Sequence, residues 1–175
     1  MAIQYLINEQ EIKDITSMPD NVDASKFQMW IQVCQDKYIK PAIGETCYNA
    51  LLDGVENDDL TALELVLLNG DNRSFKGIKQ SLAWWVNWES MVDLWLNIGN
   101  STVQKRKAEN FDSVTIEEFN MKRKESENAA SLYTDYLIDY IQCNQADYTC
   151  YSCEGLTPLI DETNSTGVST DYDKI

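Results

Sequence analysis

Histidine is absent from this 175-residue sequence. Without an imidazole, the chain lacks the commonest general base, the usual mononuclear zinc ligands and the Glu-x-x-His pairs of di-iron bundles. An enzyme that uses carboxylates or Mg²⁺ is still compatible with a sequence without histidine. Such an enzyme would need acidic residues that converge inside a bundle, and the sequence places no carboxylate pair on an apolar helix face. We therefore expect a protein that is not an enzyme and that holds no cofactor.

Basic residues are scarce: 14 of them oppose 29 acidic residues, which gives a net charge of −15. Such a surface repels nucleic acid and anionic membranes on average, so any contact with DNA must be local. One alternative function is that of a small acidic DNA mimic or regulatory protein-binding module. A mimic would carry carboxylates spaced like phosphates on one face, whereas the acidic residues here are scattered over helix ends and faces.

Long apolar runs are also missing. The most apolar stretch, LAWWVNWESMVDLWLNI at 82–98, is interrupted by five polar residues, and a membrane span needs roughly 20 apolar residues. The opening MAIQYLINEQEIKD has neither the basic nor the apolar region of a secretory signal. We therefore expect no membrane contact and reduced cysteines in a cytoplasm.

No segment shows convincing strand alternation, and helical spacing predominates. The sequence predicts an all-α helical bundle with two long helices (about 74–97 and 115–142), several short helices and an extended C-terminal tail. Residues 1–143 form the predicted helical domain. Residues 144–175, which are acidic, aperiodic and cysteine-containing, form the predicted tail.

Caps and helix breakers set the predicted helix ends. Asn8 with Glu11, and Thr115 with Glu118, have the spacing of capping boxes. Pro41 is expected to stop or kink a helix that begins near residue 23. Glycines 44, 54, 70 and 99 are expected at helix ends. The predicted core stripe of the last helix comprises Ile116, Phe119, Ala130, Leu137 and Ile141.

Four of the five tryptophans fall within residues 84–95, on the first long helix. At 100° per residue its apolar arc spans about 200°, twice that of an ordinary surface helix, beside a polar strip that includes Asn87, Ser90 and Asp93. This helix is either wrapped by its own bundle or half-covered by a neighbouring copy. A ligand-stacking role is less favoured, because no polar constellation converges there. We predict at least one tryptophan at a subunit boundary. The interface candidates are Trp84, Trp88, Met91 and Trp95.

Two KRK triplets hold six of the 14 basic residues. They form either a patch that contacts a portal protein or a neighbouring copy, or a solvated face balanced by nearby glutamates. The contact candidates are Lys105, Arg106, Lys107, Lys122, Arg123 and Lys124. The cysteines Cys143, Cys150 and Cys153 are weak metal candidates, because only Cys34 or Cys47 could complete four ligands. Free thiols are therefore expected.

The order of the predicted helices and loops is similar to that of a known protein family. A short capped helix precedes the block IQVCQDKYIKPAIGETCYNAL, then come a long aromatic helix ending in LNIGNSTVQK and a last long helix after ENFDSVTIEE. Over roughly residues 3–142 this order resembles the head–tail connector, or head-completion adaptor, proteins of tailed bacteriophages, and in particular the neck ring proteins of crAss-like gut phages. The cysteine-bearing tail and the density of tryptophan depart from the family's pattern.

The resemblance implies a virion protein of the phage neck, made in the host bacterial cytoplasm. It implies a homo-oligomeric ring, usually a dodecamer, that stacks under the portal protein and docks the next neck or tail ring protein. DNA would pass through its lumen without specific binding, which an acidic wall favours. On this interpretation the two long helices form the wall between subunits, and the tail becomes ordered on assembly, along an adjacent ring.

Overall fold

The computed structural model describes residues 4–16, 25–71, 73–98, 103–105, 115–148 and 150, and it describes their side chains except at 25–26, 94–98 and 103–105. The elements are α1 (Glu9–Thr16), α2 (Ser25–Cys34), a π-helical turn (Gln35–Ile39), α3 (Lys40–Ile43), α4 (Glu45–Asn57), α5 (Ala62–Asn69), α6 (Gly77–Trp95), β1 (Leu96–Ile98), β2 (Val103–Lys105) and α7 (Ile116–Cys143). The predicted all-α class with two long helices is confirmed.

A short antiparallel ribbon was not predicted. The strands β1 and β2 pair so that Leu96 lies opposite Lys105. The first long helix therefore ends at Trp95 rather than near residue 97, because the chain passes directly from α6 into the ribbon. Among the described helices, none has both the length and the apolarity that a membrane crossing requires.

Both predicted capping boxes are formed. The backbone N–H of Asn8 donates to Glu11, and the backbone N–H of Glu11 donates to the side chain of Asn8, each at 2.9 Å. Thr115 and Glu118 make the same reciprocal bonds at the start of α7. The hydrogen bonds that Thr115 donates hold the pKa of the Glu118 carboxyl below its usual value. These contacts satisfy backbone donors that a helix start leaves unpaired.

The helical path continues past Pro41, where an end or a kink was predicted. Before the proline the chain widens into the π-helical turn, and Lys40 N donates to Gln35 O. This wider ladder accommodates a residue that has no N–H, and Pro41 lies in the first turn of α3. The path ends at Gly44, whose φ is 80°.

Gly54 was expected to end a helix, but it lies inside α4 and is buried. The helix continues to Asn57 and ends at Asp58, which adopts the left-handed conformation with φ 52°. Aspartate is one of the few non-glycine residues that tolerate this conformation. Gly70 does end α5, as predicted.

Helix α6 is the centre of the bundle. Every described side chain on it, from residue 77 to residue 93, is buried or half-buried. Helix α7 lies along one side, and α1, α2 and α5 pack on others. The side of the wide apolar arc that carries Ile78 and Leu82 is therefore covered inside the chain's own bundle, whereas Trp84, Trp88 and Met91 are only half-buried, and a neighbouring copy over them stays a prediction. The largest fully buried residues of α6 are Ile78 and Leu82.

The polar strip of α6 is covered as well. Asn87 Nδ2 donates to Ser126 Oγ at 3.0 Å, and Trp30 Nε1 donates to Asp93 Oδ2 at 3.0 Å. The fully buried Ser90 donates to the Asn87 carbonyl oxygen at 3.2 Å. Asn87, Ser90 and Asp93 thus each have a partner, as burial requires.

Helix α7 buries Ala130, Leu137 and Ile141 as predicted, but Ile116 is 59% exposed. The two long helices are antiparallel, and Asn87 bonds to Ser126. By this register Ile116 is level with a position beyond Trp95, the last residue of α6. The predicted core residue therefore lies past the end of α6.

The expectation of free thiols is wrong for two cysteines, because a disulfide joins Cys47 on α4 to Cys150. Tyr148 is also buried, and its hydroxyl donates to the Leu63 carbonyl oxygen at 3.2 Å. The described start of the predicted tail is therefore attached to the helical domain. Residues 151–175, including Cys153, lie outside the described part of the chain.

The two described free cysteines should differ sharply in reactivity. Cys34 is buried, and burial raises the pKa of its thiol, whereas Cys143 is exposed on α7. Because the thiolate is the reactive form, we expect a maleimide to label Cys143 rapidly in the native protein and Cys34 only after unfolding. Peptide mass mapping after timed labelling measures both rates. Equal rates at the two positions would contradict the packing around Cys34.

Candidate interaction site

An aromatic and charged cluster forms where the π-helical turn, α6 and α7 meet. Tyr38 stacks on Trp85 with ring centroids 3.8 Å apart and planes 4° apart. Trp85 in turn meets Trp88 edge-on, at 5.7 Å and 82°. These are favoured geometries for aromatic pairs, so the three rings support one another. Trp88 is the last ring of this series, and it lies beside Arg123 of α7.

Trp85 has a structural role within the bundle. Its Nε1 donates to Thr134 Oγ1 at 2.9 Å, and Thr134 Oγ1 lies 2.7 Å from Ser81 Oγ. A tryptophan that stacks on Tyr38 and has its N–H satisfied inside its own chain does not need a partner molecule.

The negative charge within the cluster is already paired. Glu89 Oε1 accepts hydrogen bonds from Lys37 Nζ and from the Tyr38 hydroxyl, each at 2.7 Å. The hydrogen bond that Lys37 donates to Glu89 raises the pKa of Lys37, and burial raises the pKa of Tyr38. Both groups therefore stay protonated at neutral pH, and Lys37 stays charged. The Lys37 ammonium lies 5.9 Å from the Trp88 ring centroid.

Arg123 brings a second cation to Trp88. Its guanidinium carbon lies 4.5 Å from the Trp88 ring centroid, within cation–π range. Its Nε is enclosed without a hydrogen-bond partner. No salt bridge in the described part of the chain includes Arg123, and its terminal nitrogens are not enclosed. A half-buried arginine without an acceptor is unusual, because burial is normally compensated by pairing.

The predicted subunit-interface residues differ in their surroundings. Trp84, Trp88 and Met91 are half-buried, and Trp84 Nε1 is enclosed without a partner. The side chain of Trp95 lies outside the described residues. None of these contacts identifies a partner chain, so the subunit interface stays a prediction. Of the predicted interface residues, Trp88 is the one that contacts Arg123, a residue of the predicted contact set.

The predicted contact residues of the two KRK triplets also differ in their surroundings. Lys122 pairs with Glu125, and Lys124 pairs with Glu127, at 2.7 and 3.0 Å on the exposed side of α7. Arg123 is the cation of this triplet that turns to the bundle. Arg106, Lys107 and the side chain of Lys105 lie outside the described residues. The structure thus brings the predicted interface set and the predicted contact set together at one point, Trp88 and Arg123.

Other exposed apolar side chains were missed in the sequence. They lie on α2, α5 and α7. The most exposed after Ile116 are Met29, Met121, Leu63, Leu65, Leu132 and Tyr136. In the sequence these residues are marked only by their spacing among polar residues, such as the four-residue interval between Leu132 and Tyr136. The same spacing is found in a helix face that packs into a core, so it does not reveal which residues are exposed.

The described residues contain no cluster of three or more potential metal ligands. A cavity of about 590 Å³ lies between the segment before α1 and helices α2, α5 and α6, and the Lys79–Glu11 ion pair (2.6 Å) is at its wall. By contrast, the Trp88–Arg123 pair offers an aromatic surface and an open guanidinium edge. Such a pair can recognise a carboxylate or a phosphate through paired N–H donors.

The cluster lies almost wholly within a stretch that matches a family model. The model is described as a family of unknown function, DUF6712, and it matches residues 39–156, from the end of the π-helical turn through α7. Neither a curated protein nor a solved structure matches the chain. Because the match covers more than half of the sequence, the chain belongs to the DUF6712 family.

Proposed function

We propose that this protein is a structural ring component of a phage neck, a head–tail connector that acts by binding other proteins and not by catalysis. In this role it stacks under a portal protein, extends the DNA conduit and docks the next neck or tail ring. The observation that carries the proposal is the Trp88–Arg123 pair, which is half-buried and whose guanidinium finds no acceptor among the residues that the structure describes.

The composition of this pair is typical of protein–protein interfaces. Tryptophan, tyrosine and arginine are the residues most enriched among interface hot spots, and lysine and glutamate are depleted there. Trp88 is held by the ring series behind it, so little side-chain freedom would be lost on binding. A preorganised aromatic ring with an open guanidinium edge suits a partner that supplies an acceptor.

The resemblance to connector proteins indicates the kind of assembly in which Trp88 and Arg123 would contact another protein. It rests on the order of helices and on the block around Pro41, which together imply a ring, usually of twelve copies, between a portal and the next neck component. The net charge of −15 favours a conduit wall over which DNA slides without binding.

Alanine substitutions at the pair should weaken assembly. We expect Trp88→Ala or Arg123→Ala to raise the protein concentration needed for ring formation by about tenfold or more, as loss of a hot-spot residue does. Lys124→Ala is the matched control, because Lys124 is exposed and pairs only with Glu127 on its own helix. Native mass spectrometry of each variant, alone and with a portal ring, measures the assembly.

Circular dichroism would verify that each variant keeps the helical content of the original chain. Equal effects of Arg123→Ala and Lys124→Ala would contradict the role given to Trp88 and Arg123. A chain that stays monomeric and soluble both alone and with a portal ring would contradict the connector function. That result would favour the regulatory protein-binding alternative.

A further inference from the structure

Helix α7 separates its charges along its length. Its only cations are the consecutive residues Lys122, Arg123 and Lys124. From Glu125 to Cys143 it carries four acidic residues and no basic residue. Glu117 and Glu118 precede the cations, so residues 116–124 carry a net charge of +1, whereas residues 125–143 carry a net charge of −4. The two parts of the helix therefore have opposite net charge.

The acidic part also presents exposed apolar side chains. Leu132 is 46% exposed and Tyr136 is 48% exposed, and Asp139 and Cys143 follow on the same face and are exposed. The spacing of four, three and four residues places these side chains in one row along the helix. Asp139 takes part in no salt bridge in the described part of the chain. We call Leu132, Tyr136, Asp139 and Cys143 the acidic–apolar row.

This row and Arg123 face different sides of α7. Sixteen residues separate Arg123 from Asp139, which at 100° per residue gives an angle of about 160° and at 1.5 Å per residue an axial distance of about 24 Å. One chain cannot bring the two groups together, because both belong to a single continuous helix, Ile116–Cys143. An acceptor for Arg123 from this row must come from another molecule.

We propose that Asp139 of a second copy of this chain is the acceptor for Arg123, and that its neighbours Leu132 and Tyr136 pack beside Trp88. The inference rests on the proposed ring function and names the contact that would close the ring. Two different surfaces of the same chain meet, so the contact is heterologous and repeats from copy to copy until a ring closes.

A carboxylate of a second copy fits better than a phosphate. The acidic–apolar row offers both an acceptor for the guanidinium and apolar surface for the indole, whereas a backbone phosphate of duplex DNA offers only the acceptor. Arginine and carboxylate form paired hydrogen bonds, which strengthen when water is excluded from an interface.

Charge reversal provides the test. We expect Arg123→Asp and Asp139→Arg each to raise the concentration needed for self-assembly at least about tenfold, because each places like charges in contact. The double variant and an equimolar mixture of the two single variants should both assemble, because in each case every contact regains opposite charges. Asp53→Arg, on the exposed face of α4, is the matched control and should assemble like the original chain.

Sedimentation velocity and native mass spectrometry of the full chain, at fixed ionic strength, measure assembly. Circular dichroism establishes that each variant folds. Assembly that persists in both single variants would overturn this contact while leaving the ring function in place, and so would loss in the single variants without rescue in the mixture. If Arg123→Asp abolished binding to duplex DNA and left self-assembly intact, Arg123 would be assigned to phosphate and the inference would fail. An original chain that never assembles, alone or on a portal ring, would overturn the proposed function as well.

Discussion

Replacing Gly77 with alanine is expected to lower the free energy of unfolding by about 3 kcal/mol, through left-handed backbone strain together with a steric clash. Gly77 begins α6 with φ 77°, and a Cβ atom there would lie 2.5 Å from Gly70 N and 2.6 Å from Leu68 O. Both contacts are to backbone atoms, so the clash can be relieved only if the end of α5 moves away from the start of α6. Denaturant unfolding followed by circular dichroism measures the change.

Gly54→Ala is the matched control. This glycine lies within α4, where a Cβ atom would lie 2.6 Å from Leu60 Cδ2, the end of a side chain that can rotate. Alanine also favours helix over glycine by about 1 kcal/mol, which offsets the repacking. We therefore expect a net change within about 1 kcal/mol for this substitution. A loss at Gly54 as large as that at Gly77 would contradict the distinction between backbone and side-chain contacts.

Removing the disulfide should have an effect of similar size. In Cys150→Ser the unfolded chain loses a cross-link between residues 103 positions apart. Closure of a loop of this length is expected to stabilise the folded state by about 3 to 4 kcal/mol. The comparison is made under non-oxidising conditions without reductant, with thermal and denaturant unfolding as the measurements.

A reducing agent supplies the control for this prediction. With the disulfide reduced, the original chain should fall to the stability of the Cys150→Ser variant, and the variant itself should not change. A difference that persists under full reduction would show that Cys150 stabilises the fold by its packing and not by its bond to Cys47.

The helices could be predicted because their ends depend on neighbouring residues. Asn8 with Glu11 and Thr115 with Glu118 are three residues apart, and their reciprocal hydrogen bonds are local. Gly70 likewise ends α5 through its own backbone conformation. Local chemistry of this kind is visible in a sequence before any tertiary contact is known.

The surroundings of α6 could not be predicted, because they depend on contacts between distant residues. The bond from Trp30 to Asp93 spans 63 positions, and the bond from Asn87 to Ser126 spans 39. A helical wheel shows which residues share a face but not which helix covers that face. The wide apolar arc was therefore compatible both with one bundle and with a contact between two chains.

The disulfide was missed for the same reason. Cys47 and Cys150 are far apart in the sequence, and spacing does not reveal which cysteines meet. The expectation of free thiols rested on the absence of a secretory signal. The packing of Tyr148 beside Leu63 shows how the chain after α7 returns to the bundle, which no local pattern indicated.

The candidate site was predicted in pieces. Trp88 and Arg123 were each named as contact residues, in two separate sets. Their meeting depends on the antiparallel register of α6 and α7, which the sequence does not state. The packing of α6 against α7 places Arg123 beside Trp88. Lys122 and Lys124 instead pair with glutamates on their own helix.

The central claim is that this chain functions by assembling into a ring at a portal. Native mass spectrometry of the full chain mixed with a purified portal ring tests it most directly. We predict a single complex in which a fixed number of copies, with twelve implied by the connector resemblance, is bound to each portal. A portal peak without added mass, beside a chain that remains monomeric at every concentration, would contradict it.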